Sequence, residues 1–316
     1  MKTLSFITLL LISLNLVAEP TNRIFVTNEK GNSITVINAE TLEVETTLTD
    51  IGDRPRGIGL SPDGSELYVA ASEDNGITVI DPKTLKKLRF FESGSDPETF
   101  DVHPNGNMYI SNEDDGLASV FDPKTGQLII EIEVGLEPEG VTVSPNGKDV
   151  IVTSEADSIL HVISVPEHTI RANVVVGARP RAATFTADSK FAYSTSEISG
   201  EVKKVDMETA EIVKVGALGN EKAKPKDILL SKDEKQVYVA GGRANSVYVL
   251  DAETLEVLKA IPVGKRTWGL AMNKDKSRLF TTDGPSSTVS VIDTATNENI
   301  KTIEVGSFPW GIIVDD

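Results

Sequence analysis

Gly52-Asp53-Arg54-Pro55-Arg56-Gly57, followed at once by the short apolar run Ile58–Leu60, decides the fold of this 316-residue chain because it does not stand alone. The same turn returns as Gly135-Leu136-Glu137-Pro138-Glu139-Gly140 and as Gly306-Ser307-Phe308-Pro309-Trp310-Gly311. Looser copies run through Gly94–Pro97, Gly177–Pro180, Lys224-Pro225-Lys226 and Gly264–Trp268. The proline position, held by Thr267 in the sixth copy, falls at 55, 97, 138, 180, 225, 267 and 309, in steps of 42, 41, 42, 45, 42 and 42. Internal repetition at a period of about 40–45 residues is the mark of a propeller or solenoid.

Working outward from the turn, each copy leads into further strand signals. A second strand recurs as Ile24–Asn28, Leu67–Ala71, Met108–Asn112, Val150–Ser154, Ala192–Ser196, Val237–Gly241 and Leu279–Thr282. A third recurs from Ser33–Asn38 to Thr288–Asp293, and a fourth includes Val44–Leu48 and Leu128–Val134. Ser61-Pro62-Asp63-Gly64 and Ser144-Pro145-Asn146-Gly147 sit between first and second strands, where Pro presets φ and Gly or Asn accepts positive φ. β-Branched and aromatic enrichment with no helical period predicts an all-β, seven-bladed β-propeller of four-stranded blades. The chain opens on a second strand and closes on a first one, Trp310–Val314. The C-terminal strand is therefore expected to join the N-terminal blade and close the ring.

Composition narrows the function. Residues 1–18 have a basic start at Lys2, an apolar run over Leu4–Val17 and a small residue at Ala18, the build of a secretory signal peptide. The expectation is an export signal over 1–18 and one domain over 19–316, in the periplasm or secreted. There is no cysteine, which removes disulfides, thiolate catalysis and c-type haem attachment. His103, His161 and His168 are the only histidines and lack metal-site spacing, so no metal site is expected. A formal charge of −17 opposes sequence-blind nucleic-acid binding, which needs clustered Lys and Arg.

Phe25-Val26-Thr27-Asn28, followed by Ser33-Ile34-Thr35-Val36-Ile37-Asn38, resembles the YVTN family of β-propeller repeats. Arg54-Pro55-Arg56-Gly57, Asp96-Pro97-Glu98, Glu137-Pro138-Glu139-Gly140, Arg179-Pro180-Arg181 and Pro309-Trp310-Gly311 narrow this to a resemblance to periplasmic propellers associated with PQQ-dependent alcohol catabolism. The resemblance spans essentially the whole mature chain. It implies a partner such as a periplasmic dehydrogenase or c-type cytochrome; no cofactor of the chain's own is expected. It implies no defined reaction.

In an antiparallel blade the turn before the first strand and the loop between the second and third emerge on one face. That face collects Arg54, Arg56, Glu98, Glu139, Arg179, Arg181, Arg266, Trp268 and Trp310 as candidate binding residues, with Lys224, Lys226, Glu29, Glu113, Glu155, Glu197 and Arg243 nearby. Copies two and three bring acids, copies four to six bases, copies six and seven aromatics, and copy one bases again. Two arrangements fit: a recognition mouth for an anionic small molecule or acidic partner patch, or a belt of Arg–Glu pairs fixing neighbouring blades. No nucleophile, metal-ligand set or phosphate loop accompanies them, so no catalytic residue is expected. The expected function is an exported binding or accessory protein. The alternatives are a lactonase-like hydrolase and a surface or adhesion module.

Overall fold

The computed structural model describes residues 18–316, so the expected export signal lies outside the described residues except for Ala18. Seven four-stranded antiparallel sheets are arranged as a ring. Blade 1 runs over Pro55–Glu92, blade 2 over Pro97–Glu133, blade 3 over Pro138–Val175 and blade 4 over Pro180–Ala217. Blade 5 begins with the short strand Ile228–Leu230 and ends at Pro262, and blade 6 covers Thr267–Glu304. Blade 7 takes its innermost strand, Pro309–Asp315, from the end of the chain and Arg23–Asn28, Ser33–Asn38 and Val44–Leu48 from the start. Val26 pairs with Ile312 and Ile24 with Val314, which is the closure the sequence predicts.

The second and third strands of most blades are buried on both faces and therefore read as largely apolar runs, such as Leu67–Ala71 and Gly76–Ile80. Each face packs on the next blade. Phe25, Ile34 and Val36 of blade 7 meet Leu67, Val69 and Ile80 of blade 1 on one side. Ile24, Val26 and Ile37 meet Phe280, Val289 and Val291 of blade 6 on the other. The outermost strands have only one neighbour and stay largely exposed, as in Gln127–Glu133.

A hydroxyl on the second strand, or just beyond it at Ser72, stitches most blades to the next. Thr27 donates to the Arg56 carbonyl at 2.7 Å, Ser72 to Pro97 at 2.7 Å and Ser111 to Glu139 at 2.5 Å. Thr153 donates to Arg181 at 3.3 Å, Thr195 to Lys226 at 2.5 Å and Thr282 to Trp310 at 2.7 Å. Between blades 5 and 6, where Ala240 holds the equivalent place, Asp227 accepts from the Leu270 N–H at 2.8 Å instead. The second glycine of the motif has a steric reason. A Cβ on Gly57 would lie 2.9 Å from the Glu98 carbonyl of the next blade, and one on Gly269 2.6 Å from that of Trp310.

Candidate functional site

The residue before the motif proline is left-handed in six blades: Arg54, Asp96, Glu137, Arg179, Arg266 and Phe308 have φ between 48° and 61°. Side chains other than Gly adopt this region at a cost of about 1 kcal/mol or more. What holds it is the carbonyl of that residue, which accepts an N–H from the loop after the second strand. Ser72 donates to Arg54 at 3.2 Å, Glu113 to Asp96 at 3.0 Å and Glu197 to Arg179 at 2.8 Å. Turn and loop are thereby locked together on one face, with both sets of charged side chains at the mouth of the central channel.

The residue after the motif proline occupies one register in every blade: Arg56, Glu98, Glu139, Arg181, Lys226, Trp268 and Trp310. These side chains ring the channel. Arg56 pairs directly with Glu98, and Arg181 with Glu139 at 3.0 Å. Lys226 Nζ sits 4.0 Å from the centre of the Trp268 ring. Trp268 stacks on Trp310 with centroids 6.3 Å apart, and Arg56 closes the circle 5.6 Å from Trp310.

Glutamates from the loops slot between members of the ring. Glu29 bridges Arg54 and Arg56 at 3.4 and 3.0 Å, while Asp96 takes Arg54 in a two-pronged contact at 3.0 Å. Glu155 pairs with both Arg179 and Arg181, and Glu197 bonds Lys226 at 2.6 Å and lies 3.6 Å from each of those arginines. Burial pushes Glu113 up, and neighbouring Glu139 pushes it further. Oxygens of Asp96, Glu98 and Glu113 lie within 4.8 Å of one another, but Arg54 and Arg56 already run among them.

The pattern of acids is broken most widely in one sector. Loop positions filled by Glu29, Glu113, Glu155 and Glu197 in four blades are Ser72 in blade 1, and glycine in two adjacent blades, Gly242 in blade 5 and Gly284 in blade 6. The Trp268 indole lies against Gly284, where an added Cβ would be 3.3 Å from its Cδ1 and Nε1. Arg266, 4.8 Å from that ring, pairs with no carboxylate among the described residues, and its buried Nε has no hydrogen-bond partner there. Burial lowers the Arg266 pKa, and the like charge of Arg243 lowers it further. The Trp310 indole N–H is also buried without an acceptor.

Lys226 was outside the candidate set read from the sequence, although it stands in the same register as the other ring members. Burial and then Arg181 push its ammonium down to about 7, against the opposing pull of Glu197. Burial favours the neutral form of Glu197, but Lys226 and Arg181 together hold it below its ordinary value. Beneath the ring lies a cavity of about 200 Å³, lined by Arg181, Lys226, Trp268 and Trp310 with the innermost strands. The histidines serve local bonds away from the ring, as in His103 Nε2 with the Gly147 carbonyl at 2.8 Å.

A seven-bladed ring with a charged mouth and a sequence matching over residues 11–316 settles the family. The chain belongs to the YNCE-like beta-propellers. No curated protein matches this YNCE-like chain. Solved structures share its fold. A functionally unknown protein from Desulfotomaculum acetoxidans is 18% identical, with 93% of this chain and 99% of that one covered and a TM-score of 0.81. Kuenenia stuttgartiensis hydrazine synthase is 18% identical over 92% and 99% of the two chains, with a TM-score of 0.78. A candidate 6-phosphogluconolactonase from Bacteroides fragilis is 19% identical over 92% and 98%, with a TM-score of 0.79.

Proposed function

We propose that this propeller is an exported binding protein whose channel mouth holds an anionic small molecule against the Trp268–Trp310 wall. The observation that carries the reading is Arg266: a half-buried guanidinium beside a second arginine, with glycine at the two flanking loop positions where four other blades supply a glutamate. An arriving carboxylate would satisfy its free donor, relieve repulsion from Arg243 and lie flat on an indole, the arrangement in which Arg forks recognise carboxylates. In this reading Arg54, Arg56, Arg179 and Arg181, engaged by Glu98, Glu139 and the loop glutamates, hold the mouth in shape while the Arg266 sector meets the ligand. Export rests on residues 1–18, and a role beside PQQ-dependent alcohol catabolism, next to a periplasmic dehydrogenase or c-type cytochrome, rests on the sequence resemblance. The test is a thermal-shift screen of mono- and dicarboxylates, PQQ included, against the mature protein and its Arg266→Ala variant. A ligand bound only by the native state raises the melting midpoint. The reading requires an anion that stabilises the parent and not the variant; equal shifts in both would refute it.

A further inference from the structure

The lysine at the mouth has a setting that anion binding does not use. Lys226 is 5% exposed, yet it lines the cavity under the ring. Its Nζ lies 2.6 Å from Glu197 Oε2 on one side and 4.0 Å from the face of Trp268 on another. Arg181, itself buried, stands close enough to repel its positive charge. A lysine becomes a nucleophile when it is desolvated or set beside another cation, and here both conditions meet at a cavity wall. At about 30 Å³ per liquid water the cavity has room for on the order of six waters, enough for a small carbonyl compound.

We propose that Lys226 is a carbonyl-capturing amine, forming a reversible imine with a small 2-oxo acid whose carboxylate is held by Arg266. The proposal rests on the anion-binding reading for the carboxylate and adds a covalent step of its own. The Nζ lone pair forms the C–N bond as the carbonyl π pair moves onto oxygen. Glu197, held ionised beside Lys226, takes the ammonium proton and returns it to that oxygen, giving a carbinolamine. Loss of one water, with proton transfer to the departing oxygen, leaves the C=N bond, and hydrolysis reverses the sequence without oxidant or reductant. The charged groups facing the amine are Glu197 and Arg181, with Glu139 further off, and the fall of its pKa to about 7 leaves a large neutral fraction at neutral pH. An ordinary lysine, with a pKa near 10.4, has only about four parts in ten thousand neutral at pH 7.

The experiment incubates the folded protein with pyruvate or glyoxylate and sodium cyanoborohydride at pH 7.5, then maps the reduced adduct by peptide mass spectrometry. Propionate, which has the carboxylate and no ketone, runs alongside in a thermal-shift assay. The expected result is labelling at Lys226 at least tenfold above any exposed lysine, lost in Lys226→Arg and slowed in Glu197→Gln. Labelling spread evenly over surface lysines, or none at all, overturns the imine. Stabilisation by propionate with no Lys226 adduct would sink this step and leave the anion reading standing. If neither carboxylate shifts the melting temperature through Arg266, the anion reading fails first.

Discussion

Replacing Arg181 with Ala measures whether the arginines of the mouth are structural. Arg181 is 7% exposed and touches three carboxylates: Glu139 at 3.0 Å, Glu155 in direct contact and Glu197 at 3.6 Å. Those acids are 6%, 1% and 8% exposed; without the guanidinium Glu155 keeps Arg179 and Glu197 keeps Lys226, while Glu139 is stranded as a buried charge with no cation partner among the described residues. Breaking a buried pair by deleting one partner costs about 3–5 kcal/mol, mostly the penalty of the abandoned charge. At roughly 2 °C per kcal/mol for a domain of this size, the melting midpoint should fall by about 6–10 °C. The assay is urea denaturation at pH 7.5 with calorimetry as a second probe, comparing Arg181→Ala with Arg266→Ala. Arg266 has no carboxylate partner among the described residues and a like-charged neighbour, so its loss should change stability by less than about 1 kcal/mol in either direction. If the two variants lose the same stability, or Arg181→Ala loses less than about 1 kcal/mol, the division between engaged and free arginines is wrong.

Burial raises Asp101 and Asp227 to about 6, above an unfolded value near 4, so the folded state holds extra protons between those pH values. Their contribution to stability is full below about pH 4 and is lost as pH rises through 6. Melting midpoints followed from pH 6 to 4 should fall more, or rise less, in Asp101→Asn with Asp227→Asn than in the parent, and parallel curves would dismiss the assignment. Thr282→Val strips the hydroxyl that donates to the Trp310 carbonyl at 2.7 Å and accepts from Gly269 N–H at 2.8 Å. It should cost about 1–3 kcal/mol by urea titration, and a neutral result would mean that the stitch between blades 6 and 7 is dispensable. Deleting residues 308–316 removes the inner strand of blade 7 and should abolish cooperative melting; an unchanged transition would contradict the closure.

The ring itself was legible because proline, glycine and the turn residues repeat at nearly constant spacing, and because the inner strand missing from blade 7 at the start of the chain reappears as Trp310–Val314. The face shared by Arg54, Arg56, Arg179, Arg181, Arg266 and the tryptophans followed from strand alternation alone. Which acid meets which base did not follow. Glu29 reaches Arg54 and Arg56, and Glu155 reaches Arg181, across blade junctions, which the repeat pattern alone does not resolve into side-chain pairs. Lys226 was placed on the charged face but left out of the candidate set, because its burial and its contacts with Glu197 and Trp268 are properties of the folded ring and not of the repeat. The free state of Arg266 depends on what Gly242 and Gly284 omit, and a residue that is missing from one copy is seen only once the copies are superposed in space.

The stitched seam of blade 7 also fixes when this molecule can exist. Thr27 Oγ1 accepts from Gly311 N–H across 284 positions of sequence, and Thr21 donates to Asp315 across 294. Bonds of that separation form late, because the chain must lose the freedom of nearly its whole length before they return anything. A ribosome making this chain delivers Trp310 and the closing strand long after the strands they pair with. Until then the inner edge of Arg23–Asn28 has no partner strand, and the mouth lacks one of its two indoles. Moving the seam by circular permutation, with the present ends joined, would keep every contact of the finished ring and change only this timetable.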